Sequence, residues 1–204
     1  QLSVVYSGDG FVVAYVNARR DEDPYSGIRL RAIGPDGRAA VTQVELEGTF
    51  GVQSFAFAWA PFSGGMLVYS RGRNGSDGAY SIAVDSRLTY EVPVRLSNQS
   101  VGSTAVEFGD GGWGAAWMVR DTDGVSHLNF VLLDENGGVI GDEESLGQGG
   151  VGPISMAYGQ GTFAIAWSRQ DEARVPKPFI TLMEAGGDVI GTPRIEGPTA
   201  MGLA

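Results

Sequence analysis

Apolar residues in this chain gather in short runs of five to seven, each bounded by glycine or a polar turn. Four of them are Gly10-Phe-Val-Val-Ala-Tyr15, Gly64-Gly-Met-Leu-Val-Tyr69, Gly112-Trp-Gly-Ala-Ala-Trp117 and Thr162-Phe-Ala-Ile-Ala-Trp167. Each is too short for a stable helix and ends on an aromatic ring, so each predicts a strand. The near-continuous apolar character of Phe11–Val16 and Phe163–Trp167 further predicts burial on both faces of a sheet. No segment keeps helical periodicity over a dozen residues free of Gly and Pro, so essentially no α-helix is expected.

The spacing of these runs organises the chain. Tyr15, Tyr69, Trp117 and Trp167 lie 54, 48 and 50 positions apart, and Tyr6, Trp59, Phe108 and Tyr158 lie 53, 49 and 50 apart. Two aromatic series with one period define a fourfold repeat, and Val101-Gly102 and Val151-Gly152 open its last two units. In the third unit four strands are predicted, at Thr104–Phe108, Trp113–Arg120, Ser126–Leu133 and Val139–Leu146. The turn Asp134-Glu-Asn-Gly-Gly138 recurs as Ile33-Gly-Pro-Asp-Gly37 and Met183-Glu-Ala-Gly-Gly187, where glycine supplies positive φ. The second unit has Val84-Asp-Ser-Arg-Leu88 there, without glycine.

Four-stranded antiparallel units at this period predict an all-β chain, a β-propeller of four blades that is complete or belongs to a larger one. An irregular sandwich or barrel would hold the same strands, but the regular repeat favours radial repetition. The predicted blades are residues 1–48, 49–100, 101–150 and 151–197 of a single domain, 1–204. Residues 198–204 resemble Pro153-Ile-Ser-Met-Ala157 and predict an extra first strand. Either they open a further blade, or they latch onto the first one. Strand edges left open would need another chain or further blades to cover them. The grammar of glycine turn, aromatic run and Asp-Gly hairpin resembles the ~50-residue propeller-type repeats of secreted and cell-surface bacterial proteins. That resemblance implies an exported protein, extracellular, surface-bound or periplasmic, and it is structural, carrying no activity.

Composition narrows the chemistry. Of 204 residues 32 are Gly, which the turns account for; there is no Cys and one His, His127. Thiol catalysis, disulfides, thiolate zinc and His-rich metal centres are excluded. A net charge of −10 disfavours nucleic acid as a partner, and no apolar run is long enough for a membrane-spanning helix. No Gly-x-Ser-x-Gly elbow occurs, and no helix is expected to complete a phosphate loop. His127 lies at the start of a predicted strand and reads as structural.

The polar segments between second and third strands hold the candidate site. They supply Arg19, Asp21, Asp23 and Tyr25, then Arg71, Arg73 and Asp77, then Arg120, Asp121 and Asp123, and finally Arg169 and Asp171. A propeller would set these four loops on one face, where Arg offers paired donors to a glycan, peptide or partner protein. The competing reading pairs Arg with Asp in solvated turns. The expected function is a noncatalytic, lectin-like binding or assembly module. The alternative is a glycoside hydrolase-like enzyme using Asp21, Asp77, Asp121 or Asp171. No cofactor is expected; the alternating carboxylates of Asp121-Thr-Asp123 and Asp21-Glu-Asp23 would suit calcium, but a full ligand set is not in register. Tyr25 and Phe62 break the repeat and are candidate exposed contacts.

Overall fold

The computed structural model describes residues 1–16, 27–60, 64–72, 78–99, 101–171 and 174–192. They form four four-stranded antiparallel sheets, and no helix occurs among the described residues. Blade 1 comprises β1 (Leu2–Tyr6), β2 (Phe11–Val16), β3 (Ile28–Ile33) and β4 (Ala39–Glu45). Blade 2 comprises β5 (Val52–Ala60), β6 (Gly64–Arg71), β7 (Gly78–Val84) and β8 (Val94–Arg95). Blade 3 comprises β9 (Val101–Gly109), β10 (Gly112–Arg120), β11 (Ser126–Leu133) and β12 (Val139–Gln148). Blade 4 comprises β13 (Gly150–Gly159), β14 (Thr162–Gln170), β15 (Pro176–Glu184) and β16 (Val189–Gly191). In every blade the strands follow chain order from the axis outwards, and the innermost ones pack in series: β1 on β5, β5 on β9, β9 on β13. The propeller is not closed. Residues 198–204 lie outside the described residues.

Local chemistry sets the hairpins. Asp134 Oδ1 accepts from the N–H groups of Asn136 (2.9 Å) and Gly138 (2.8 Å), and Gly137 takes φ +85°. Gly37 and Gly187 hold the same place in blades 1 and 4, with φ +78° and +98°. In blade 2 that place belongs to Leu88, which adopts φ +63° yet is buried against blade 1.

Three apolar cores lie between successive blades. Each blade has a trailing face, turned to the blade before it, and a leading face, turned to the one after. Tyr69, Trp117 and Trp167 are buried on trailing faces, with 0%, 0% and 4% exposure. Along the second strands the leading positions carry smaller residues, such as Ala14, Val68 and Ala116. Gly114 is an example: a Cβ there would stand 2.8 Å from the Phe163 ring of blade 4. Side chains also stitch the innermost strands at each seam. Gln1 donates to the Phe55 carbonyl (2.6 Å) and accepts from its N–H (3.0 Å), Ser54 meets Thr104 (3.4 Å), and Ser103 accepts from the Ile154 N–H (3.1 Å).

The apolar second strands behave as expected only in the middle of the array. Strands β6 and β10 are buried on both faces, whereas in β2 and β14 the covered side chains alternate with half-buried or exposed ones. The reason is positional. No blade precedes blade 1 or follows blade 4 among the described residues, so one face of each sheet meets solvent.

Candidate functional site

Half of the expected site lies among the described residues. The arginines of that half belong to strands and not to loops: Arg71 and Arg120 end β6 and β10, and Arg169 lies in the last two residues of β14, because the backbone pairing extends further than the apolar runs. Arg71, Arg120, Asp121, Asp123, Arg169 and Asp171 are described; Arg19, Asp21, Asp23, Tyr25, Arg73 and Asp77, and also Phe62, lie outside the described residues.

The two described aspartates that follow a strand build the same turn. Asp121 Oδ1 accepts from the N–H groups of Asp123 (3.0 Å) and Val125 (2.8 Å), while Oδ2 meets His127 Nε2 at 2.9 Å. Asp171 Oδ1 accepts from the Val175 N–H (2.9 Å), and its Oδ2 lies 3.5 Å from Lys177 Nζ. Strand register explains the match: His127 pairs opposite Val119 and Lys177 opposite Arg169, equivalent places one repeat apart. The hydrogen bond from His127 holds the Asp121 carboxyl below the usual carboxylate range, helped by the two backbone N–H groups. These carboxylates thus serve their own turns, and their side-chain partners are His127 and Lys177. Asp123 is exposed.

The arginines divide into two kinds. Arg71 donates to the Gly48 carbonyl at 2.7 Å and stacks over the Tyr80 ring at 5.1 Å. Arg169 lies over the Phe179 ring at 5.0 Å, with its stem above Gly149. Both lie along the seam with the preceding blade, where an aromatic partner orients a guanidinium at little entropic cost. Arg120 sits one position further along its strand and is exposed. It lines a depression of about 590 Å³ with Gln53, Ser54, Ser103 and Ser126, and with Gly102, Gly150 and Gly152. Ser54, Ser103 and Pro153 also line an axial groove of about 540 Å³ between the innermost strands, together with Ser3, Thr104, Ser155 and Glu107.

Glu107 has a carboxyl raised by burial, against the opposing pull of the Phe108 N–H at 3.1 Å. It is the one carboxylic acid among the described residues lining that groove. Glycoside hydrolysis needs two. Glu143 is likewise raised by burial, offset by its hydrogen bond from Asn129. Among the described residues no group of three or more His, Cys, Asp or Glu is placed to hold a metal ion. Asp21 and Asp23, half of the calcium expectation, fall outside that set.

No family model matches the chain, and no curated protein matches it. The site must therefore be read from its own chemistry. The depression combines serine hydroxyls, the Gln53 amide and the Arg120 guanidinium with apolar Met118, Val119, Val151 and Pro153, a mixed lining that can orient a polar ligand by hydrogen bonds. Gln53, Ser103 and Ser126 were not foreseen, because folding and blade packing bring them together. The repeated Val-Gly openings at 101–102 and 151–152 were the available signal: their glycines line the depression.

Proposed function

We propose that this chain is a noncatalytic binding module of an exported bacterial protein. It takes a hydroxyl-rich or carboxylate-bearing ligand, a glycan or peptide, in the loop-face depression beside Arg120. The exposed Arg120 guanidinium at the rim of a hydroxyl- and amide-lined depression carries this reading. An arginine not held by an aromatic ring or a seam carbonyl keeps its fork of donors for a ligand. Binding is favoured over hydrolysis because Asp121 and Asp171 are engaged in their turns and Glu107 is the one carboxylic acid among the described residues that line the groove.

Glycan and peptide arrays followed by calorimetry test this. Arg120→Ala is expected to weaken binding of a captured ligand by ~10-fold or more, as loss of a charge-assisted hydrogen bond does. Arg169→Ala, at a seam, should weaken it less. Binding unchanged in the Arg120→Ala, Arg169→Ala double variant would place the ligand elsewhere.

A further inference from the structure

The two uncovered sheet faces are the two halves of the interface that this chain builds three times between its own blades. On the trailing face of blade 1, Val13 holds the place of Leu67, Ala115 and Ile165, all at 0% exposure, but is itself only half-buried. Tyr15 likewise holds the place of Tyr69, Trp117 and Trp167. Tyr6 and Phe11 pack edge to face at 5.7 Å and stand 65% and 42% exposed. On the leading face of blade 4, Ala166 is exposed where Ala14 and Ala116 are fully buried. The hairpin tips agree. Gly137 rests on Ser81 of blade 2 and Gly187 on Leu132 of blade 3, whereas a Cβ on Gly37 would meet nothing within 4 Å.

We propose that these faces dock on one another between two copies of this chain, head to tail, so that two four-bladed arcs close one ring. Continuity with the existing seams carries the inference. Along the second strands the seams set large trailing residues such as Tyr69, Trp117 and Trp167 against smaller leading ones, and the uncovered face of blade 4 continues that row with Ala164, Ala166 and Ser168 on β14. Two copies use up both faces, and twice four blades stays within the four-to-eight-blade range of propellers. A head-to-tail contact that closes in this way ends growth instead of forming fibres. The internal seams also bury the third-strand residues Ile82, Val131 and Thr181. In blade 1 that place belongs to Arg31, which donates to the Ala40 carbonyl at 3.1 Å, with Arg29 beside it paired to Glu45 at 2.9 Å, so the new seam is more polar at its third strand than the internal ones. The inter-blade stitch has no counterpart at Pro153, so the new seam lacks that one bond.

Light scattering and native mass spectrometry of the chain, over a concentration series, test the proposal. The expected result is a species of twice the chain mass. Val13→Arg on the trailing face and Ala166→Arg on the leading face should each leave a monomer, with circular dichroism confirming an intact fold. Mixing the two variants should restore a dimer, because one clean seam can form between them. If either variant loses its fold, Tyr6→Glu, at a 65% exposed position, replaces the trailing-face change, and Ser155→Arg, also exposed, replaces the leading-face one. A monomer at all concentrations would overturn the proposal and leave both faces to blades of another kind. A dimer that survives Ala166→Arg would overturn it in favour of trailing faces meeting each other. A ladder of larger species would overturn closure at two.

Discussion

At the scale of single residues, ionisation and geometry compete most openly at Glu107. Burial raises its carboxyl pKa, so the folded chain binds that proton more tightly than the unfolded one. The resulting contribution to stability is complete below the ordinary glutamate pKa and is lost as pH rises through the raised value. Asp121 runs the opposite way: its lowered pKa adds stability above the usual aspartate value, which is lost as pH falls through the lowered one. Glu107→Gln should therefore raise the melting temperature at neutral pH and leave it nearly unchanged near pH 4. Thermal scans at the two pH values decide this, and a variant less stable at both would assign the Phe108 contact more weight than the burial. Asp121 also marks a limit of sequence reading. Its place beside an Arg suggested a charge pair or a ligand contact, and only strand register reveals that His127 is its partner.

At the scale of the hairpin, blade 2 solves the turn differently from its neighbours. A left-handed backbone costs a non-glycine residue about 1–2 kcal/mol, while burying a leucine stabilises by about 1.5–3 kcal/mol. Burial wins, and Leu88 stays in the turn against blade 1. Leu88→Gly relieves the backbone but loses the burial and adds chain entropy, a net destabilisation of about 1–2 kcal/mol. Leu88→Ala keeps the strained backbone and should cost more, about 2–3 kcal/mol. Urea unfolding will rank the three chains, and a Leu88→Gly chain more stable than the parent would show that strain outweighs packing. Strand positions were legible because glycine turns and aromatic ends punctuate them; Ser126–Leu133 was read to the residue. The repeat located the turn at Val84–Leu88 as well, but not its left-handed residue, since Leu88 carries no glycine signal. Nor was the depression legible, because Gln53 comes from blade 2 and Ser103 and Ser126 from two strands of blade 3 that are not neighbours, and they line one depression only after folding and packing.

At the scale of the whole molecule, stability is divided among three cores that meet only through the middle sheets. Such an array behaves as a sum of blades and nearest-neighbour seams, and it opens from its ends. Hydrogen exchange in the monomeric Val13→Arg chain should find β6 and β10, covered on both faces, the slowest strands. β2 and β14 should exchange faster. Equal protection across all four second strands would mean that the blades unfold as one cooperative unit.

The contrast along the second strands between large trailing residues and small leading ones, seen where Phe163 fills the space left by Gly114, gives the repeat a reading direction. Tandem duplication of a coding segment always joins the tail of one copy to the head of the next. A blade copied in place therefore inherits a seam that already fits, and this architecture can lengthen by whole units without first inventing a new interface.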